Sequence, residues 1–534
     1  MARGLPDGSG RTFHRQAWQG AMARNELHRD TTLGIVGAGI MGRGIAQIAA
    51  EAGMQVRLAD ADPKTIEVAK QACAGMIRRK AEKGQISAEA AEAAIARIHG
   101  TDAGPQAGYA AFAHCDLVVE AVAERMDIKQ QVLAGLEQSV RDDCIIATNT
   151  SSLSVTGFAA AARLPGRVAG FHFFNPVPLM KVVEVIGGVL TDAPVLDRLT
   201  QVARRMGHHP VRASDTPGFV VNHAGRGYLT EALRIVSEGI ASFADVDLVM
   251  TEAAGFRLGP FELLDLTGLD VSVPVLESIY HQYYEEPRYR PSVLAATRRA
   301  GGLLGRKTGR GFYLYADGKA QKPAEPPVPD IRPNGLRVWV SGRDAEAQAA
   351  VAAIGTAAGA TLEQGPRPSA AALAVVTPWG EDAGTAALAE NLDPRQVVAI
   401  DPSGLGRRRT LMGSPATDPA VRAAAHALFA ADGAAVTLIH DSPGFIAQRI
   451  HAAIVNVGAD MAQQRVAVPQ DIDRAVELGL GYPRGPLRLG DEIGPGRILR
   501  ILEAMSDFYG DPRYRPSPWL KRRARLGLPL HHPD

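Results

Sequence analysis

The chain has 534 residues, too many for a single hydrophobic core, so several domains of roughly 150 residues each are expected. Its 46% hydrophobic and 22% charged residues are ordinary values for globular proteins. The formal net charge of +1 gives no overall field for nucleic acid or a membrane surface, and neither is expected as a partner. No apolar run approaches the roughly 20 residues that span a bilayer.

The cysteines are three, far apart, and form neither a metal-binding spacing nor a disulfide framework: Cys73, Cys115 and Cys144. No metal site is therefore predicted, and a reducing, cytoplasmic compartment is expected. Residues 1–30 are polar and lack the apolar segment of a signal peptide, so they are predicted to be a disordered extension. An alternative is that the native chain starts at Met22, just ahead of the first predicted strand.

The first predicted strand, residues 33–36, runs into a glycine-rich turn at residues 37–42 and then an apolar helix. Such glycines allow a tight turn and close approach of the backbone to a pyrophosphate, which the helix N-terminus attracts. A second strand ends at Asp60, whose carboxylate can accept hydrogen bonds from ribose hydroxyls and repels a 2′-phosphate. NAD is therefore predicted rather than NADP. Arg57 favours NADP, but it is interpreted as a solvated strand residue.

Strands and helices continue to alternate as far as residue 175. Residues 63–98 are predicted to form two helices broken near residues 84–85, and buried strands are predicted at 116–122 and 144–147. This order predicts a parallel sheet with helices on both faces. A basic cluster on the first of these helices is either a solvated face or a site for an anionic group of the substrate: Arg78, Arg79, Lys80 and Lys83.

His172 follows an apolar run, residues 168–171, and precedes the turn at Asn175-Pro176. An imidazole is thus predicted at the carboxyl end of a strand, where open α/β sheets bind their ligands. A lone histidine among aromatic residues is more often a packed core residue. Glu184 is either its partner or an ordinary surface acid.

An ordered set of motifs together resembles the L-3-hydroxyacyl-CoA dehydrogenase family. The motifs lie at residues 37–42, 149–152, 172–176, 184, 215–222, 259–260 and 305–313. The resemblance covers about residues 31–316. It implies a Rossmann domain followed by an all-helical domain that closes over an acyl-CoA thioester, and NAD-dependent oxidation of (S)-3-hydroxyacyl-CoA to 3-oxoacyl-CoA.

The resemblance also implies roles for individual residues. His172 matches the catalytic base and Glu184 its partner, while Ser151 and Asn222 match the residues that hold the reacting substrate oxygen. Lys83 lies near the CoA-binding lysine, although the spacing in its helix differs from the family pattern. The implied cofactor contacts are Gly37, Gly39, Ile40, Met41, Gly42, Asp60, Glu124, Lys129, Ser151 and Asn175.

The chemistry agrees with these roles. Removal of a hydride from an alcohol carbon requires an acceptor for the hydroxyl proton, and imidazole takes and returns a proton near neutral pH. A carboxylate on the other ring nitrogen fixes the tautomer and stabilises the imidazolium.

The second half of the chain repeats the first. Residues 191–192, 215–219, 245–247 and 259–260 recur 226 positions later, and residues 287–292 recur 225 positions later. A nearly constant offset over about a hundred residues indicates a duplicated domain. The copy has lost its chemistry, because Gln448 stands at the position of Asn222 and residues 397–402 contain no histidine.

The predicted fold class is therefore α/β: a Rossmann-type parallel sheet and an all-helical domain, followed by a degenerate second copy with a smaller α/β unit. The predicted division is an extension (1–30), the NAD-binding domain (31–214), a helical domain (215–317), a linker (318–334), a degenerate Rossmann-like unit (335–440) and a second helical domain (441–534). Residues 441–520 are predicted to pack on 217–315 about a pseudo-two-fold axis, as an internal copy of the dimer contact expected in the family. A homo-oligomer of the whole chain is compatible with this arrangement.

Several functional alternatives stay open. The tandem layout resembles bacterial dehydrogenases of phenylacetate breakdown, whose substrate is 3-hydroxyadipyl-CoA, and others of this layout resemble 3-hydroxybutyryl-CoA dehydrogenases. A dehydrogenase of a non-CoA hydroxy acid, such as a sugar acid, is a further alternative. A catalytically inactive structural protein is another, although the intact set of His172, Glu184, Ser151 and Asn222 speaks against it.

Overall fold

The structure is a computed structural model that describes residues 31–104 and 106–534. The predicted disordered extension, residues 1–30, and the alternative start at Met22 lie outside the described residues. The chain forms two compact units. The first comprises the described residues up to Val221 together with Arg465–Gly479, and the second comprises Asn222–Gln464 and Leu480–Asp534.

An eight-stranded sheet forms the centre of the first unit. Its strands are β1 (Thr32–Val36), β2 (Gln55–Ala59), β3 (Ile98–Gly100), β4 (Leu117–Glu120), β5 (Ile145–Thr148), β6 (Val168–Phe173), β7 (Val182–Gly187) and β8 (His209–Ser214). They lie in the order β3-β2-β1-β4-β5-β6-β7-β8. The strand order reverses between β1 and β4, and ligands of such sheets bind beyond the carboxyl ends of the strands at this point.

One strand pair departs from the predicted parallel arrangement. β6 and β7 are antiparallel, whereas every other neighbouring pair of this sheet is parallel. Residues 174–181 connect β6 to β7 through a turn in which the amides of Leu179 and Met180 donate to the Pro176 carbonyl. This connection is too short for a crossover helix, so the chain must reverse. His172 consequently lies directly opposite Glu184.

The two helices predicted between residues 63 and 98 are present, as α2 and α3 of the following series. The helices are α1 (Ile40–Glu51), α2 (Pro63–Glu82), α3 (Ala88–Ala96), α4 (Met126–Glu137), α5 (Val155–Ala159), α6 (Ala193–Arg205), α7 (Val221–Ser237), α8 (Phe243–Leu248), α9 (Pro260–Thr267), α10 (Leu269–Gln282), α11 (Val293–Ala300), α12 (Ala345–Ala357), α13 (Ala383–Ala389), α14 (Pro419–Ala430), α15 (Ala447–Gln463), α16 (Pro469–Leu480), α17 (Pro486–Ile493), α18 (Pro495–Tyr509) and α19 (Pro518–Leu526). No helix of the described ranges is both long enough and apolar enough to cross a membrane.

The second unit holds a hairpin, a smaller sheet and most of the helices from α7 onward. The strands are β9 (Leu314–Ala316), β10 (Lys319–Gln321), β11 (Arg337–Val340), β12 (Thr361–Leu362), β13 (Leu373–Val376), β14 (Val397–Ile400), β15 (Arg408–Met412) and β16 (Ala435–Ile439). The sheet has six strands in the order β12-β11-β13-β14-β15-β16, with β14 and β15 antiparallel. It keeps the arrangement of the first sheet with two strands fewer, as expected for a shortened copy.

The repeated helices α7 and α15 cross at equivalent positions. A Cβ atom added at Gly227 would lie 2.9 Å from the backbone oxygen of Ala453, which is the residue 226 positions later. The repeated Arg288 and Arg513 make reciprocal contacts, since Arg288 donates to the carbonyl of Arg515 at 2.8 Å and Arg513 to that of Arg290 at 3.3 Å. A contact in which equivalent residues exchange roles is typical of a two-fold interface.

Buried charges join the same two repeats. Arg449 of α15 is fully buried and forms an ion pair with Glu231 of α7 at 2.7 Å. Arg288 pairs with Asp460 at 2.8 Å. The α/β fold with a degenerate second copy is thus confirmed, while the six-part division of the chain stays a prediction.

Candidate active site

The core of the candidate site is a buried histidine–carboxylate pair on neighbouring strands. Nδ1 of His172 lies 2.6 Å from Oε2 of Glu184, and the two residues are 5% and 0% exposed. An ionised carboxylate only accepts hydrogen bonds, so Nδ1 carries the hydrogen and Nε2 is left as the proton acceptor. The alternative that Glu184 is a surface acid is wrong, because β7 is buried on both faces here.

Glu184 is held from its other side by backbone amides. Its Oε1 accepts hydrogen bonds from the amides of Val220 at 2.8 Å and Val221 at 2.9 Å. These amides belong to the turn that leads into α7, and the same turn packs the ring of Phe219 against the His172 imidazole, with centroids 5.8 Å apart. The motif at residues 215–222 therefore orients both members of the pair.

The same motif is tied to the next loop through Asp215. Its carboxylate accepts from the Ser154 hydroxyl at 2.8 Å and from the amides of Val155 and Thr156 at 3.0 and 2.7 Å. These are free donors of the first turn of α5, so Asp215 caps that helix. Sequence reasoning assigned no separate role to Asp215, although an acidic residue at the start of a repeated motif was a signal for one.

Ser151 and Glu124, which come from different loops, are brought together. Glu124 Oε1 accepts from the Ser151 amide at 2.9 Å and from the Thr150 hydroxyl at 2.6 Å. Burial opposes ionisation of Glu124, but the Thr150 hydroxyl and the Lys129 ammonium outweigh it and lower its pKa. Glu124 is therefore a carboxylate at neutral pH. Ser151 is partly exposed, and its hydroxyl lies 3.4 Å from the same oxygen of Glu124.

Lys129 is buried against a second carboxylate that sequence reasoning missed. Its ammonium lies 2.9 Å and 3.0 Å from the two oxygens of Glu120 and 3.3 Å from Glu124. Glu120 ends the otherwise apolar strand β4 and also accepts from the Thr148 hydroxyl at 2.8 Å. The signal in the sequence was an acidic residue at the end of an otherwise apolar strand. Lys129 stays a predicted cofactor contact, and in this geometry it also fixes Glu124.

The glycine turn has the shape that a dinucleotide requires. Gly37 has φ +104°, and a Cβ atom there would lie 2.5 Å from the Ala121 carbonyl oxygen. A Cβ atom at Gly42 would lie 1.7 Å from the Gly37 oxygen, whereas Gly39 has no atom within 4 Å of that position. The turn is thus closely packed at Gly37 and Gly42 and open at Gly39. These residues fit a bound pyrophosphate.

The remaining predicted cofactor residues surround this turn. Asp60 follows β2 and accepts from the Ala38 amide at 2.8 Å, which places its carboxylate against the glycine turn. Ile40 and Met41 form the first turn of α1, and Ile40 is 59% exposed. Asn175 is exposed just beyond the end of β6.

Two predicted residues lie apart from these contacts. Lys83 is exposed at the carboxyl end of α2, with no ion pair to another described residue. Asn222 is the first residue of the second unit, and it follows Val221 directly in the chain. Its carbonyl accepts from Nε of Arg226 at 2.7 Å.

Comparison with known proteins accounts for this arrangement. The profile of the 3-hydroxyacyl-CoA dehydrogenase NAD binding domain matches residues 32–216. The profile of the 3-hydroxyacyl-CoA dehydrogenase C-terminal domain matches twice, at residues 218–315 and 444–529. The chain belongs to the 3-hydroxyacyl-CoA dehydrogenase family. It is an NAD-dependent oxidoreductase that oxidises 3-hydroxyacyl-CoA, and the expected cofactor and reaction are confirmed.

Individual relatives share either the whole tandem layout or its first half. The chain is 36% identical to a 3-hydroxyadipyl-CoA dehydrogenase of Escherichia coli over 93% of its own length and 98% of the relative's. A crystal structure of an Escherichia coli 3-hydroxybutyryl-CoA dehydrogenase superposes with a TM-score of 0.80 at 33% identity, covering 93% and 98% of the two chains. The mitochondrial hydroxyacyl-coenzyme A dehydrogenase of Sus scrofa is 38% identical over 55% of this chain and 94% of its own.

Proposed function

We propose that this chain oxidises 3-hydroxyadipyl-CoA, with His172 as the general base that removes the proton of the 3-hydroxyl group. The hydrogen bond of 2.6 Å between His172 and the buried Glu184 is the observation that supports His172 as the base. It leaves Nε2 of the imidazole to receive a proton, while Glu184 stabilises the imidazolium that results.

The surroundings of Glu184 determine how the pair works. The amides of Val220 and Val221 donate to Oε1 and hold the carboxylate so that its other oxygen lies against Nδ1 of His172. Ser151 and Asn222 donate hydrogen bonds to the reacting oxygen and hold it for proton transfer. Bound NAD would supply the hydride acceptor for the carbon that carries this oxygen.

The cofactor is held by the glycine turn and the residues around it. The backbone at residues 37–42 faces the pyrophosphate, and Asp60 accepts hydrogen bonds from the adenosine ribose. Glu124, Lys129, Ser151 and Asn175 would also hold the cofactor, and Lys83 would contact the CoA moiety of the substrate.

The choice of substrate rests on the relatives. A protein named 3-hydroxyadipyl-CoA dehydrogenase matches nearly the full length of this chain, which favours a dicarboxylic acyl group. The second candidate is 3-hydroxybutyryl-CoA, since a solved relative of the same tandem length is named for that activity. A place in phenylacetate breakdown and a cytoplasmic location stay predictions.

We further propose that the second half acts as a built-in dimer partner. The reciprocal contacts of Arg288 and Arg513 support an internal pseudo-dimer of the two helical repeats. Linkage in one chain raises the effective concentration of the partner to roughly millimolar, so this contact need not be strong by itself. The six-part domain division follows from the same duplication.

The test is turnover of the whole protein with His172→Ala. Loss of a positioned general base is expected to lower kcat by at least ~10²-fold, while NAD binding measured by fluorescence is unchanged. His99→Ala, which alters an exposed histidine on β3, serves as the control and retains activity. Near-normal turnover of His172→Ala would exclude His172 as the base, and a panel of 3-hydroxyacyl-CoA substrates decides between the adipyl and butyryl chains.

A further inference from the structure

Arg226 is a buried arginine that lies one helical turn beyond Asn222 and forms no ion pair with a carboxylate of the described residues. It is 6% exposed, and its Nε donates to the Asn222 carbonyl at 2.7 Å. Its Nη1 is buried and has no hydrogen-bond partner within residues 31–104 and 106–534. Of the ionisable groups in the described ranges, only the phenol of Tyr482 raises its pKa, so no acid compensates the charge.

Other buried arginines of this chain differ from Arg226 because each forms an ion pair with a carboxylate. Their partners lie between 2.7 and 3.1 Å away and are Glu137 for Arg167, Asp460 for Arg288, Glu325 for Arg408 and Glu231 for Arg449. An unpaired buried charge is costly unless an anion neutralises it. Burial lowers the pKa of Arg226 to about 10, so the guanidinium still carries its charge at neutral pH.

The duplicated helix shows that the fold does not need this arginine. In α15, the position 226 residues after Arg226 is Ala452, which is fully buried. The copy that lost the counterpart of Asn222 has therefore also lost the counterpart of Arg226. The packing position next to it is retained, because Gly227 and Ala453 form the crossing point of the two helices.

The position of Arg226 matches one end of a short dicarboxylic acyl chain. Asn222 and Arg226 are four residues apart on one helix face, about 6 Å along the axis. If the reacting 3-oxygen lies at Asn222, a chain that continues along the helix brings its far end to the guanidinium. A planar guanidinium binds a carboxylate through two parallel hydrogen bonds, and the unpartnered Nη1 supplies one of the donors.

We propose that Arg226 binds the terminal carboxylate of the acyl chain and thereby selects dicarboxylic 3-hydroxyacyl-CoA substrates. This inference rests on the proposed function, since it takes Asn222 as the residue that holds the reacting oxygen. It adds a specificity-determining residue that acts on the end of the chain remote from the oxidised carbon.

The test compares two substrates of equal chain length, 3-hydroxyadipyl-CoA and 3-hydroxyhexanoyl-CoA, which differ only in whether the chain ends in a carboxylate or a methyl group. Wild-type enzyme at saturating NAD is expected to favour the adipyl substrate in kcat/KM by at least ~10²-fold, because the methyl end leaves the buried guanidinium unpaired. Arg226→Leu should lower kcat/KM for 3-hydroxyadipyl-CoA by a similar factor and leave 3-hydroxyhexanoyl-CoA within about threefold of wild type or better.

Two further variants sharpen the result. Arg226→Lys keeps the charge without the planar fork and is expected to fall between wild type and Arg226→Leu for the adipyl substrate. Arg290→Leu removes a charge from a 46% exposed arginine of the same unit and should not change the ratio of the two substrates.

Specific outcomes would overturn the proposal. Equal use of both substrates by the wild-type enzyme would exclude selection by Arg226, and this measurement needs no variant to fold. An equal loss on both substrates in Arg226→Leu would assign the arginine a structural role. Failure of the proposed function gives a different result, because the wild-type enzyme would then oxidise neither substrate or His172→Ala would remain active.

Discussion

In the second repeat, the side chains at the positions of His172 and Asn222 hydrogen-bond to each other. Asp401 follows β14 at the place that His172 has on β6, with its amide bonded to the carbonyl of Thr410 on the neighbouring strand. Its carboxylate accepts from the side chain of Gln448, the counterpart of Asn222, at 2.9 Å. Burial raises the pKa of Asp401. The second repeat thus has an amide–carboxyl hydrogen bond where the first has the imidazole of His172.

The buried His451 is expected to affect the pH dependence of stability. Neither ring nitrogen of His451 on α15 has a hydrogen-bond partner in the part of the chain that the structure describes, and burial lowers the pKa of this histidine to about 4. The native state therefore keeps this ring neutral. Since an unfolded histidine titrates near pH 6.5, the unfolded chain binds more protons between about pH 6.5 and 4. The contribution of His451 is complete above pH 6.5 and is lost progressively as the pH falls toward 4.

His451→Phe removes the titrating group and keeps an apolar ring of similar shape, so it tests the contribution of this histidine. Between pH 7 and 5, wild-type protein should lose about 2 kcal/mol of unfolding free energy that the variant does not lose. Urea unfolding of both proteins at the two pH values measures this difference. His281→Phe, at a side chain that is 66% exposed, should follow the wild type. A difference between wild type and His451→Phe that does not change with pH would contradict a neutral, buried His451.

At the scale of elements, the crossing of α7 and α15 depends on a missing side chain. A Cβ atom at Gly227 would lie 2.9 Å from the Ala453 oxygen and 3.0 Å from the Ile454 Cα, and both of these belong to the backbone of α15. Backbone atoms cannot move aside as a flexible side chain can. The two helices would have to separate, and the ion pair of Arg449 with Glu231 lies across the same contact.

Two glycine-to-alanine substitutions in helices test this argument as a matched pair. Gly75→Ala on α2 meets no atom within 4 Å and should stabilise the protein by about 0.5–1 kcal/mol, the usual helical preference for alanine. Gly227→Ala should instead destabilise it by about 1–3 kcal/mol, because overpacking exceeds that preference. Denaturant midpoints measure both. If Gly227→Ala stabilises as Gly75→Ala does, the helices are not in close backbone contact.

Local signals in the sequence were sufficient for the first βαβ unit. The glycine turn and Asp60 have local causes, so their positions could be predicted from the residues alone. The antiparallel reversal at β7 could not, because periodicity does not reveal strand direction. The burial of Lys129 between Glu120 and Glu124 depends on residues distant in sequence. Arg226 was missed for a similar reason, since an arginine in a helix looks solvated until its neighbours are known.

At the scale of the whole molecule, the duplicated half contributes a segment to the unit that contains His172. Arg465–Gly479 belongs to the first unit. The Ser214 amide at the end of β8 donates to the Val466 carbonyl at 2.8 Å, and its hydroxyl donates to the Arg465 carbonyl at 3.1 Å. The degenerate repeat thus supplies hydrogen-bond acceptors to the end of β8, the edge strand of the first sheet.

Gly479, at the end of this segment, lies against Val221, whose amide hydrogen-bonds to Glu184. A Cβ atom at Gly479 would lie 2.9 Å and 3.0 Å from the two methyl groups of Val221, and 3.5 Å from Val182 on β7. The Val221 amide is one of the two donors that hold Glu184. A larger side chain at position 479 must therefore displace Val221 and loosen the carboxylate that orients His172.

Gly479→Leu in the full-length protein is predicted to lower kcat by roughly 10-fold or more, since small displacements of a positioned acid–base pair are costly. NAD binding measured by fluorescence should be retained, because the displaced carboxylate is Glu184 and not a residue of the glycine turn. Gly496→Leu, also in the duplicated half but with no atom near its Cβ position, is the control and should keep wild-type kinetics. A folded Gly479→Leu with wild-type kcat would show that the duplicated half does not act on the pair, and that its contact with Val221 serves stability alone.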